Sequence, residues 1–239
     1  MGIILYDKPK IELVGYDLFV DGNRHLRATR TLRDMRKALA RYSEDKGNQE
    51  AYFMYRNVYR SGDIRFDITV IPPEPFGEEC AKTHGHCHPG SEDGPGYPEV
   101  YQVLSGSALF ILQKKNRNGS VNVSLVNAEK GDAVLLPPGY GHVTVNRGDD
   151  VLVLSNIVYD RFEAIYNDYA SNQGAAYYYM KGGEITQNSN YIVEKNERLK
   201  AKEFNARYGF SCDDLLLELQ REPGKFAFLV KPGLLQKKR

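Results

Sequence analysis

The sequence predicts a mainly β fold, a sandwich or barrel, with a helix near its N-terminus and a partly helical C-terminal extension. Two observations predict it. From residue 51 onward, runs rich in Val, Ile, Tyr and Phe recur: "AYFMYRNVYR", "IRFDITVIPPE", "EVYQVLSGSALFILQKK", "SVNVSLVNAEKGDAVLLPP" and "HVTVNRGDDVLVLSNIVY". The turn sequences "RSGD", "NRNGS", "EKGD" and "NRGDD" separate them at even spacing, which favours closed antiparallel architecture over alternating strand and helix.

The elements can be taken in order. Residues 1–28 read as extended pieces, "KIELVGYDLFV" and then a turn at "DGNRH". In "TRTLRDMRKALARYSED", Leu32, Met35, Leu39 and Tyr42 fall on one helical face, with Thr29 or Thr31 as cap and "EDKGN" as the stop. The barrel then spans 51–191. Past residue 160 the pattern is mixed, and "SNYIVEKNERLKAKEFNARYGF" suits helix or loop. "SCDDLLLELQREPG" reads as a short helix capped by Ser211, with Asp214 three residues on and Pro223-Gly224 ending it. A strand-like "KFAFLV" and a basic, solvated "QKKR" close the chain. Three units are thus expected: 1–50 packing on the barrel, the barrel 51–191, and an extension 192–239.

Composition excludes several function classes. The 239 residues are 41% hydrophobic and 26% charged, ordinary globular usage, and the net charge of +1 calls for neither nucleic acid nor an anionic membrane as partner. Cys80, Cys87 and Cys212 form no CxxC pair, which argues against a disulfide framework and for a reducing cytoplasm. No apolar run approaches the roughly 18–20 residues that a membrane span needs.

The chemistry concentrates in "AKTHGHCHPG", residues 81–90. On a strand, His84, His86 and His88 would share one face, and imidazoles two residues apart form a pincer for a divalent metal. A histidine-rich turn without ligand is the alternative. Downstream, Glu99 opens "EVYQVLSG" and His142 follows a Pro-Pro-Gly-Tyr-Gly turn in "GDAVLLPPGYGHVTVN". These residues resemble the two halves of the cupin signature. His86, His88, Glu99 and Gly106 match H-x-H, E-x6-G; Gly131, Pro137, Gly139, His142 and Asn146 match G-x5-P-x-G-x2-H-x3-N. The spacer after His88, "PGSEDGPGYP", is longer than in many cupins and carries Glu92 and Asp93 as rival carboxylates.

More closely, "THGHCH…EVY…PPGYGHVTVN", with "DITVIPPEPFGEE" before and "NIVY" after, resembles the cupin-type glucose-6-phosphate isomerases known chiefly from archaea. The likeness covers about residues 10–190. It implies a cupin double-stranded β-helix, or jelly-roll barrel, holding one divalent metal (Fe, Mn, Ni or Zn) on His86, His88, Glu99 and His142. It places phosphate-side groups at Thr69, Thr83, Gly85 and Tyr159. His84 stands where the family often has a lysine, and by its strand face would point into the pocket and contact phosphate. Glu99 is the implied base and Tyr101, on the same face, a group that orders sugar hydroxyls. A family histidine shortly after "NIVY" is missing from "YDRFEAIYNDY"; Tyr166 or Asp168 stand in its neighbourhood. The implied partner is a sugar phosphate, the implied assembly a cytoplasmic homodimer. A metal-dependent dioxygenase or another sugar-phosphate isomerase keeps the same site and changes the chemistry; a non-catalytic cupin would not need all four ligands.

Overall fold

The structure, a computed structural model, describes residues 2–91, 94 and 96–235. Strand accounts for 46% and helix for 16%, the mainly β architecture that the strand-like runs predicted. At the N-terminus β1 (Ile3–Asp7), β2 (Lys10–Val14), β3 (Asp17–Val20) and β4 (Asn23–Arg24) form an antiparallel sheet in chain order. Its buried face, Ile11, Leu13 and Leu18, packs on the outside of the barrel.

After β5 (Ala28–Thr31) comes α1 (Leu32–Met35), a single turn where the spacing predicted a helix to residue 45. Thr31 caps it in a capping box: its side chain accepts the Asp34 N–H, and the Asp34 carboxylate accepts the Thr31 N–H at 2.8 Å. Tertiary contacts then claim the backbone that a longer helix would use. Ala38 O accepts from Lys82 Nζ at 2.7 Å, and the Ala40 N–H donates to Glu79 Oε2 at 2.9 Å. Leu39 is still buried, so the apolar spacing marks a buried segment but not a continuous helix.

The barrel strands are β6 (Glu50–Ser61), β7 (Ile64–Ile71), β8 (Glu99–Ser105), β9 (Ser107–Lys115), β10 (Val121–Glu129), β11 (Ala133–Leu136), β12 (Gly141–Asn146) and β13 (Leu152–Tyr159). They are followed by α2 (Asn167–Ser171), the hairpin β14 (Tyr177–Tyr179) and β15 (Ile185–Gln187), β16 (Val193–Lys200), α3 (Ala201–Ala206) and α4 (Leu215–Arg221). One sheet runs β11-β8-β13-β7-β6-β5 and the other β12-β9-β10-β16. The glycines of the signature sit where the chain changes sheet. Gly106 turns from β8 into β9 with φ +82°, and a Cβ there would lie 3.0 Å from Val151 O. Gly131 and Gly139, also at positive φ, make the corresponding corners between β10, β11 and β12.

Side-chain parity then divides the barrel. Ile71, Val103, Phe110, Leu112, Val134 and Leu154 fill one end of the interior with apolar packing. On the same inward parity but nearer the other end lie Asp67 and Thr69 of β7, Glu99 and Tyr101 of β8, His142 of β12 and Asn156 of β13. Outward residues such as Phe53, Phe66, Val100 and Ile157 join the core under the N-terminal sheet and α4.

The C-terminal segment departs from expectation in three places. Val193–Lys200 is a strand, paired parallel with β10, where the sequence left helix or loop open. α4 is capped by Asp214, whose Oδ1 accepts the Leu217 N–H at 2.9 Å, rather than by Ser211. "KFAFLV" belongs to a 3-10 turn, Pro223–Leu229, not a strand. The edge of β11 is not open to it: Asn205 of α3 already covers that strand, accepting from the Leu135 N–H at 3.0 Å and donating to Ala133 O at 2.7 Å. Phe226, Phe228 and Leu229 therefore bury their side chains without joining a ladder. None of the described helices is long and apolar enough to cross a membrane.

Candidate metal centre

The histidine segment is not a plain strand. Gly85 has φ +86°, which breaks the alternation between His84 and His86. A Cβ at Gly85 would sit 2.5 Å from Val143 Cγ2 and 2.6 Å from the Tyr169 ring, so only glycine fits. Beyond it the chain pairs with the free edge of β12: the His86 N–H donates to His142 O at 3.2 Å and the His142 N–H to His86 O at 3.0 Å. His86 and His142 are thus brought side by side by a backbone bridge. His84 is left out. It is buried, donates Nδ1–H to Gly85 O at 3.0 Å, and meets Tyr166 edge-on at 5.1 Å, but it does not line the cavity, contrary to the strand-face expectation.

His86, His88, Glu99 and His142 each offer one ligand atom, and these atoms lie within 4.8 Å of one another. His88 Nε2 is 3.3 Å from His86 Nε2 and 3.4 Å from Glu99 Oε2; His142 Nε2 is 3.6 Å from the same oxygen. Two of the ligands are visibly oriented from behind. His88 donates Nδ1–H to Tyr97 O at 2.8 Å, which leaves its Nε2 lone pair facing the cluster. Glu99 Oε1 accepts from Asn156 Nδ2 at 2.7 Å, while Oε2 is buried with no hydrogen-bond partner. Burial, reinforced by the neighbouring histidines, holds His86 and His142 well below the ordinary imidazole pKa, so both stay neutral. A buried carboxylate oxygen without a donor, among imidazole nitrogens, is the donor set of a divalent cation. The residues fit the metal.

The long spacer after His88 folds back through a Gly90–Gly96 bridge and delivers the Tyr97 carbonyl that orients His88. Glu92 and Asp93 lie outside the described residues. The cavity itself, about 90 Å³, is lined by His86, His88 and Glu99 together with Thr69, Thr83 and Tyr101. Tyr101 is held protonated well above the ordinary phenol pKa, by burial first and by Glu99 second; its hydroxyl is 3.3 Å from His142 Nε2. Thr83 Oγ1 accepts the Thr144 N–H at 3.0 Å, leaving its O–H free to donate. Tyr159, at the end of β13, instead packs against Tyr97 at 4.9 Å and is absent from the cavity wall, as is Gly85. Of the two residues near the missing histidine, Tyr166 lines the cavity together with Ala164. Asp168 lies elsewhere, 3.5 Å from Lys115.

Sequence reasoning passed over Tyr52, Arg56, Asp67 and Asn156, all on the cavity wall. Parity could have found two of them. Asp67 is two residues before Thr69 on β7, and Asn156 pairs in register with Tyr101.

With this geometry in place, the comparisons with known proteins are specific. A family model described as glucose-6-phosphate isomerase (GPI) matches residues 23–195. The chain belongs to that family. Proteins named glucose-6-phosphate isomerase are similar to it in Thermococcus onnurineus (30% identical over 134 residues, 53% of this chain and 62% of the relative). The same holds in Pyrococcus furiosus (29% over 143 residues, 59% and 63%) and Sinorhizobium medicae (33% over 100 residues, 42% and 43%). The chain therefore spans less than two thirds of the length of each of these relatives. A solved oxalate decarboxylase from Bacillus subtilis is a slighter likeness, 22% identical over 48% of this chain and 26% of that one, with a TM-score of 0.35.

Proposed function

We propose that this protein is a metal-dependent glucose-6-phosphate isomerase, interconverting glucose 6-phosphate and fructose 6-phosphate. One observation carries the reading: Glu99 Oε2, buried and without a donor, faces three imidazoles in a cavity that also presents the hydroxyls of Thr69 and Thr83. His86, His88, Glu99 and His142 would hold one divalent cation, with Fe, Mn, Ni and Zn all suited to such a nitrogen–oxygen set. When bound, the cation supplies Lewis-acid polarisation of the sugar's carbonyl and hydroxyl oxygens.

The chain's own groups divide the remaining work. Isomerisation moves a proton between C2 and C1 of the open-chain sugar, which needs a carboxylate of free basicity nearby. The cavity wall has two described carboxylates, and Asp67 is engaged by Arg65 and by the Asn57 N–H. Glu99 is the remaining carboxylate and the candidate proton carrier, a duty that competes with holding the cation through Oε2, while Asn156 keeps Oε1 aimed. Tyr101 stays a phenol and donates to sugar hydroxyls; it cannot act as base near neutral pH. Thr69 and Thr83 face the phosphate. Tyr166 takes the place of the missing histidine on the wall. We also place the protein in the cytoplasm as a homodimer; the edge strand β1, with Ile3 41% and Ile4 58% exposed, offers an apolar face for pairing.

The test is an isomerase assay on protein stripped with a chelator and refilled with each of the four metals. Metal-restored turnover, lost in His142→Ala, is expected. Stoichiometric metal binding with no turnover under any metal would sink the reading.

A further inference from the structure

Among the described residues of the cavity wall there is a single arginine and no lysine: Arg56. Its placement is built. It lies on β6 directly before Asn57, whose φ is +60°, and the register between β6 and β7 jumps between Tyr55 and Tyr59. The Asn57 N–H is pinned to Asp67 Oδ1 at 2.7 Å, and Arg65 Nε holds the same carboxylate at 2.8 Å. A bulge beside a binding site re-aims a side chain, and an asparagine at positive φ persists where its surroundings hold it.

Among the described residues no carboxylate is ion-paired with the guanidinium so aimed, although its charge acts on Asp67. Asp67, the carboxylate near it, is matched by Arg65, and Glu99 faces the histidines. Among the described residues Arg56 joins no ion pair; its Nη2 meets Met54 Sδ at 3.8 Å. A second guanidinium, Arg30 of β5, stands 5.6 Å over the ring of Tyr166, which lines the cavity. Beside them, Thr69 and Thr83 bring neutral hydroxyls.

We infer that Arg56, supported by Arg30 behind Tyr166, anchors the phosphate of the substrate and makes the site selective for phosphorylated over neutral sugars. The inference rests on the isomerase reading for its substrate class. A guanidinium presents parallel N–H donors that match two phosphate oxygens, which a hydroxyl cannot do, and a dianion placed there meets a cation that no described ion pair takes up. Thr83, its Oγ1 lone pair already taken by the Thr144 N–H, adds a donor with a fixed direction.

The experiment compares metal-loaded wild type with Arg56→Ala and Arg56→Lys. Inorganic phosphate binding is measured by titration calorimetry, sorbitol binding serves as the neutral control, and kcat and KM are taken with glucose 6-phosphate. Loss of one charge-assisted contact predicts that Arg56→Ala weakens phosphate binding and raises KM by roughly tenfold or more. Sorbitol binding and kcat hold, and Arg56→Lys recovers part of the loss. Arg56 is exposed, so truncation removes no buried packing. Unchanged phosphate affinity and KM in Arg56→Ala overturn the inference, as does a fall in kcat with phosphate affinity intact. The two readings fail separately. Wild type that binds phosphate through Arg56 but turns over no glucose 6-phosphate defeats the isomerase alone; an active enzyme with Arg56-independent phosphate binding defeats the anchor alone.

Discussion

Two buried glutamates flank the histidine segment in the sequence, and they are built differently. Glu79 borders the larger cavity, about 780 Å³, beneath the N-terminal segment. Its Oε1, which like Glu99 Oε2 accepts no hydrogen bond, is ion-paired with the equally buried Lys82, and its Oε2 accepts the Ala40 N–H. Glu99 borders the smaller cavity, about 90 Å³, and leaves Oε2 without a donor. Size alone would choose Glu79. A buried carboxylate whose partners are present is a fastener, while one whose partner is missing is waiting for a ligand.

Breaking the fastener should give the larger change in stability. Lys82→Met strands Glu79 as an uncompensated buried charge and releases Ala38 O, so unfolding free energy should fall by about 3–5 kcal/mol in denaturant titration. Adding Glu79→Leu should restore much of it, because a desolvated pair replaced by apolar groups is often near neutral. Metal affinity of whatever remains folded should hold. A Lys82→Met protein as stable as wild type would remove the distinction between the two sites.

Glu99→Gln should do the reverse. Metal affinity, read by competition with a chelator, should drop by more than roughly 100-fold, beyond what a supporting residue contributes. Stability of the metal-free chain should be unchanged or higher, because the variant removes a buried charge that the protein alone does not satisfy. A large loss of metal-free stability would make Glu99 a second fastener.

How much of this contrast the sequence discloses follows from what spacing encodes. His86, His88, Glu99 and His142 are legible because the turns that position them demand glycine and proline at set intervals, as Gly106 and Gly139 do with positive φ. His84 is misread because one backbone torsion, at Gly85, undoes strand parity, and nothing in "THGHCH" says which way a glycine will turn. The helix predicted to residue 45 fails for a related reason. Its competitor is the Lys82–Glu79 pair, some forty positions away, and local periodicity carries no trace of such a contact. Arg56 and Asn156 belong to no motif. Arg56 acquires its aim from a bulge, and Asn156 from its register opposite Tyr101.

A smaller step on the metal side is Asn156→Ala. It frees Glu99 Oε1 and should cost roughly 10–100-fold in metal affinity, the range for residues that hold a ligand from behind. Asn156→Asp should be worse than Ala, since it sets a second carboxylate against Glu99. If Ala leaves affinity intact, Glu99 is aimed by the strand alone.

The mildest probe is pH, applied to the metal-free chain. His86 and His142 have their pKa values pushed well below 6.5 by burial and by the imidazoles around them. In the unfolded chain each takes up a proton as pH falls through about 6.5, while the folded chain resists, so the unfolded state binds more protons and stability falls with pH. Asp67 opposes this at lower pH: its folded pKa is raised from 3.8, chiefly by burial, so its contribution to stability grows as pH falls toward the carboxylate range. The histidine slope should therefore be read by thermal melts from pH 7.5 down to about 5, above that interference. Replacing both histidines with asparagine should flatten most of it, leaving the share of His84, whose pKa burial also lowers. Loading metal should also flatten it over the upper part of the range, then fail abruptly once protons compete for the ligands. A slope undiminished by the double replacement would move the titrating groups away from the cavity, and with them the claim that its imidazoles are held neutral for a cation.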